Sequence, residues 1–117
     1  MMLAGTELQV LVARRPVDFR KQADTLAALV QEVLAANPYS GTVYVFRAKR
    51  SDRVKLLWWD GTGVCLLTKR LPGGQFRWPA IEDGVVRLTP RQLAALLEGT
   101  EWSGLGSREV ERPRAAS

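Results

Sequence analysis

The chain has 117 residues, 46% of them hydrophobic and 25% charged, with a formal net charge of +5. That length supports one domain with a real core and is too short for two. The chain has no histidine and a single cysteine, Cys65, which excludes Ser-His and Cys-His catalysis, an internal disulfide and a multi-cysteine zinc site.

Residues 8–13 alternate and carry two valines, the pattern of a strand. Arg14-Arg15-Pro16 breaks it, and Asp18 has the chemistry of a helix N-cap. Ala23, Leu26, Ala27, Val30, Val33 and Leu34 then recur at helical spacing. A helix is expected near 19–36, stopped by Asn37-Pro38. Arg20 and Lys21 would fall in its first turn, where cations oppose the helix dipole and an anion is welcome.

Residues 42–47 alternate with aromatic and β-branched residues, a second strand. The basic loop Arg47-Ala48-Lys49-Arg50-Ser51-Asp52-Arg53 runs into the apolar strand 54–59, which ends Trp58-Trp59. Asp60-Gly61-Thr62-Gly63 is a hairpin signal. Residues 64–70 form the next strand, and 75–78 a short fifth strand after Leu71-Pro72-Gly73-Gly74. Because strand 54–59 is apolar on both faces, it belongs in the interior of an antiparallel meander.

Residues 80–84 read as a loop and Val85 to Leu88 as a last short strand. Thr89-Pro90-Arg91-Gln92 is a capping box, opening a helix near 90–98 whose buried face is Leu93, Ala94, Leu96 and Leu97, with Gly99 as C-cap. The expected fold class is therefore α+β, an antiparallel meander packed with two amphipathic helices. The domain spans 1–102, and a Gly/Ser/Pro/Arg/Glu-rich flexible tail occupies 103–117.

The charge is concentrated. Residues 42–78 carry eight basic and two acidic side chains, while the rest of the chain carries nine basic and ten acidic. The same segment contains Trp58, Trp59 and Trp78. Clustered cations beside aromatic rings are the composition of a nucleic-acid-binding face. Arg47, Lys49, Arg50, Arg53, Lys55, Lys69 and Arg70 are the expected phosphate contacts, with Arg20 and Lys21 as a second anchor. Trp58, Trp59 and Trp78 are expected as stacking or interface residues. Arg50 and Arg53 stand out as a pair whose removal should flatten the salt dependence of DNA binding by about two units.

No catalytic constellation is found, and no metal or cofactor site is expected. A metal nuclease would need converging carboxylates. The nearest candidates, Asp60, Glu82 and Asp83, read as turn and loop formers. No apolar run reaches the roughly 18 residues of a membrane span. Glu7 interrupts the N-terminal apolar residues and no basic region precedes them, so no signal peptide and a cytoplasmic location are expected.

Several stretches carry a family resemblance: Val17-Asp18-Phe19-Arg20-Lys21, Pro38-Tyr39-Ser40-Gly41, Arg50 through Gly63, Phe76-Arg77-Trp78-Pro79, Leu88-Thr89-Pro90 and Leu96-Leu97-Glu98-Gly99. Over residues 8–102 the chain closely resembles the Orf2-like TnpB accessory proteins of insertion sequence family 66, which are distinct from the RNA-guided nuclease of the same name. Phe19 stands where that family usually has Met. The resemblance implies a non-catalytic protein that assists DNA transposition beside a separate DDE transposase and a second small accessory protein. Two roles follow: contact with DNA through the basic segment, or a protein adaptor that docks the transposase without touching DNA.

Overall fold

A computed structural model describes residues 8–13, 15–78 and 85–103. Arg14, the expected loop at 80–84 with Glu82 and Asp83, and the expected tail from 104 onward lie outside the described residues.

The fold is α+β: five strands and two helices in the order β1 (Val10–Ala13), α1 (Ala23–Glu32), β2 (Val43–Arg47), β3 (Arg53–Trp59), β4 (Val64–Arg70), β5 (Val85–Leu88) and α2 (Pro90–Leu97). The sheet order is β4-β3-β2-β1-β5. β2, β3 and β4 form the expected antiparallel meander with β3 inside it. β1 lies parallel to β2 and antiparallel to β5, so the sheet is mixed. A parallel pair needs a long crossover, and α1 supplies it.

Strand pleating sorts the core into two layers. Val10, Val12, Val43, Val45, Val54, Leu56 and Trp58 point to one face, under Leu93 and Leu96 of α2 and the ring of Phe76. Ala13, Tyr44, Phe46 and Leu57 point to the other, under Leu26, Ala27 and Val30 of α1. Each face of the sheet thus carries one helix.

Two expectations are corrected. The first helix is shorter than 19–36 at both ends. At its start, Asp18 does not cap it: the carboxylate accepts from the Arg20 backbone N–H at 2.9 Å and from the Arg20 guanidinium at 2.6 Å. This local turn holds 18–21 outside the helix, and Gln22 takes the N-cap position without a side-chain bond. At the other end Ala35 enters the left-handed region at φ 51, which stops the helix before Asn37-Pro38. Val33, expected on the buried face, is 65% exposed as a result.

The second correction concerns 75–78, which is not a strand. The segment folds back over the β2–β3 loop, where the Phe76 backbone N–H donates to the Ser51 carbonyl at 2.8 Å. This places the Phe76 ring in the α2-side core. Burial of a ring that size is worth about 2 kcal/mol.

The second helix forms as expected. The Thr89 hydroxyl accepts from the Gln92 N–H at 3.0 Å, and the Gln92 side chain accepts from the Thr89 N–H at 2.8 Å. Gly99 follows the C-cap Glu98 at φ +79. Leu96 is fully buried on this helix, while Ala94, expected inside, is exposed. Thr89→Ala should lower unfolding stability in urea by about 1 kcal/mol, with an unchanged far-ultraviolet circular dichroism spectrum below the transition.

Candidate nucleic-acid interface

Register gathers the basic residues at one end of the sheet. β2 ends there with Arg47, β3 begins with Arg53 and β4 ends with Arg70. Arg47 pairs in register with Val54, and Arg53 with Arg70. The loop bearing Lys49 and Arg50 caps this end and is tied to the chain after β4 by the Leu71 N–H, which donates to the Asp52 carbonyl at 2.9 Å. A shallow groove of about 500 Å³ runs between the two loops, lined by Lys49, Arg50, Asp52 and Gly73-Gly74 among others.

The segment 17–21 arrives at the same end. The Val17 N–H donates to the Arg47 carbonyl at 2.8 Å. The Phe19 ring lies under two cations, with Lys55 Nζ 4.7 Å and the Arg53 guanidinium 5.8 Å from its centroid. The two cationic stretches expected as separate anchors, 47–53 and 20–21, therefore converge. Phe19 is the residue that joins them. Sequence reading set it aside as a departure from a family position; an aromatic ring directly before the basic pair Arg20-Lys21 was the available signal.

The cations differ in what already holds them. Arg50 is 71% exposed and meets the Asp52 carboxylate at 3.5 Å. Arg53 lies against the same carboxylate, also at 3.5 Å. Arg20 is 91% exposed but paired with Asp18, whose carboxyl is held well below the usual range by the Arg20 side chain and backbone N–H. Lys49 and Arg70 are exposed, as is Arg77 on the folded-back segment. Like charges directly across a strand pair repel, so Arg53 facing Arg70 is a local cost that a bound anion would relieve.

Two expected phosphate contacts leave the set. Lys55 is 3% exposed, because alternation turns it onto the α1 face of β3, an interior strand. Its ammonium donates to the Lys21 carbonyl at 2.6 Å. Lys69 points to the opposite face and donates to the Leu97 carbonyl at 2.6 Å, a cation on the negative end of α2.

The tryptophans are also dispersed. Trp58 is 3% exposed and belongs to the core, so its ring is not available for stacking. Trp59 lies at the far end of β3, packed edge-on against Tyr39 with centroids 5.8 Å apart. Trp78 sits at the basic end, with the Arg47 guanidinium 5.4 Å from its ring and its indole N–H donating to the Ser51 carbonyl at 3.4 Å. Trp102, which sequence reading did not single out, donates from its indole to the Arg77 carbonyl at 2.6 Å and pins the folded-back segment.

Asp60 is committed to its turn. Its carboxylate accepts from the backbone N–H groups of Thr62 and Gly63, both at 2.9 Å, and from the Cys65 thiol at 3.5 Å. These bonds, the Thr62 backbone donor first, lower its pKa below the ordinary 3.8, while burial and Asp60 raise that of the Cys65 thiol. Among the described residues, no three His, Cys, Asp or Glu side chains are placed to hold a metal ion, and no helix is long and apolar enough to cross a membrane.

Comparison with known proteins identifies the family of the chain. The model of the IS66 Orf2-like protein family matches residues 8–107, and the chain belongs to that family. Two relatives from Sinorhizobium fredii (strain NBRC 101917 / NGR234) are each 42% identical to it. The uncharacterized protein y4jC aligns over 91% of this chain and 91% of its own length, and the uncharacterized protein y4hO over 87% and 89%. No solved structure matches the chain. Family membership makes this an insertion-sequence accessory protein.

Two measurements check these assignments. Lys55→Ala should lower unfolding stability by about 2 kcal/mol in urea, since it strips a carbonyl of its donor inside the fold. The Asp60 turn should show its own pH dependence. A depressed carboxylate pKa contributes stability above the ordinary value of 3.8 and loses it as pH falls through the folded value. Asp60→Ala should therefore melt below wild type near neutral pH, with the gap closing once acid has protonated the wild-type carboxylate.

Proposed function

We propose that this protein assists transposition by holding DNA at the basic end of its sheet and carries out no chemical step itself. The separate transposase and the second small protein of the element act as its protein partners. The observation that supports this reading is the convergence of Lys49, Arg50, Arg53, Arg70, Arg20 and Lys21 on one end of the molecule, offset there by Asp18 and Asp52. Fixed cations gathered this way attract a phosphate backbone and release its counterions.

A specific observation also favours the adaptor role, at the opposite end. Tyr39 and Val64 are exposed there, and Trp59 touches both, Tyr39 by its ring and Val64 as cross-strand partner. Aromatic anchors of this kind are common in protein interfaces. One end of the sheet would then hold DNA while the other docks the transposase.

The variant to make differs from the pair favoured by sequence alone. Arg53 is held by Phe19 and Asp52, so Lys49 and Arg50 are the better targets. Lys49→Ala with Arg50→Ala should flatten the dependence of log affinity on log salt by about two, with circular dichroism unchanged because loop residues contribute little to the core. If the wild type binds no DNA at low salt, even with the transposase present, the adaptor role stands alone.

A further inference from the structure

The DNA-holding reading leaves open which form of DNA the basic end takes. Sequence-tolerant binding of single strands combines a positive groove with aromatic faces on which bases stack. The sequence contains both ingredients, but the fold takes two of the three expected tryptophans away from the cations. From Arg53 to Trp59 the chain runs the full length of β3, about 20 Å, so the Trp59–Tyr39 pair sits at the other end of the molecule. Trp58 is inside the core.

Among the described residues, the rings that remain at the basic end are already engaged. Trp78 carries the Arg47 guanidinium on its face, lies 5.9 Å from the Phe76 ring and is fixed by its bond to Ser51. Phe19 is occupied by Lys55 and Arg53. Among the described residues, the exposed cations at this end that are neither stacked on a ring nor paired with Asp18 are Lys49, Arg50, Arg70 and Arg77.

A site that offers charge without stacking favours the polyanion with the denser charge. Each phosphate neutralised on a duplex contributes about −0.9 to the salt slope, and each on a single strand about −0.7. We propose that the basic end binds double-stranded DNA through its phosphates and stacks no base. This rests on the DNA-holding reading above. Four contacts give slopes of about −3.6 on duplex and about −2.8 on single strand; from equal affinity at about 1 M salt, duplex is favoured about tenfold at about 50 mM.

The test is fluorescence anisotropy of the full chain against a labelled duplex of about 20 base pairs and each of its separated strands, over a salt series. Intrinsic tryptophan emission is recorded with the unlabelled forms. The expected result is duplex bound about tenfold more tightly at about 50 mM salt, with tryptophan emission unchanged on every ligand. A Lys49→Ala, Arg50→Ala variant should weaken duplex binding while its emission matches wild type. Single strands bound as tightly as duplex or more tightly, or emission quenched on binding, would overturn the duplex assignment and leave DNA holding intact. Binding of neither form would overturn both.

Discussion

The rest of the structure depends on the burial of β3 on both faces at the centre of the meander. Val54, Leu56 and Trp58 meet the α2 layer while Leu57 meets the α1 layer. A strand in that position has no solvent face, so any polar side chain on it must find a partner. Lys55 is that side chain. Its ammonium reaches the Lys21 carbonyl and the Phe19 ring, and so fastens the 17–21 segment across the sheet. Together with the Val17–Arg47 backbone bond and the Arg53–Phe19 contact, that ammonium sets Arg20, Lys21 and Arg53 beside one another.

The same constraint separates structural cations from available ones. A side-chain period of two turns successive residues to opposite faces. Lys69 and Arg70 are neighbours in sequence, but one closes the end of α2 while the other faces solvent opposite Arg53. A run that looks uniformly basic is thus two populations, one holding the fold and one presenting charge. Lysine suits the buried roles because a compact ammonium satisfies a single carbonyl.

The sheet is also polar along its length. One end gathers guanidinium and ammonium groups; the other holds the Asp60 turn and the Tyr39, Trp59 and Val64 side chains. Such a division suits a protein that meets two partners of different chemistry at once. Family membership sets this geometry in the context of an insertion sequence.

Local chemistry was legible in the sequence wherever its cause is local. The Thr89–Gln92 box, the Asp60 turn, the apolar alternation of β1 to β4 and the segregation of charge into 42–78 all depend on residues a few positions apart. Helix ends were less legible, because Asp18 has two uses for its carboxylate and the fold selects the turn over the cap. Long-range pairing decided the rest. That β1 lies parallel to β2, that 75–78 folds inward on Phe76, that Trp58 and Lys55 are spent on the interior and that Lys69 closes the end of α2 depends on contacts between residues far apart in the chain. Composition placed cations and indoles in one segment; register and pleat, which composition does not encode, put Trp58 in the core and Trp59 at the far end and left Trp78 among the cations.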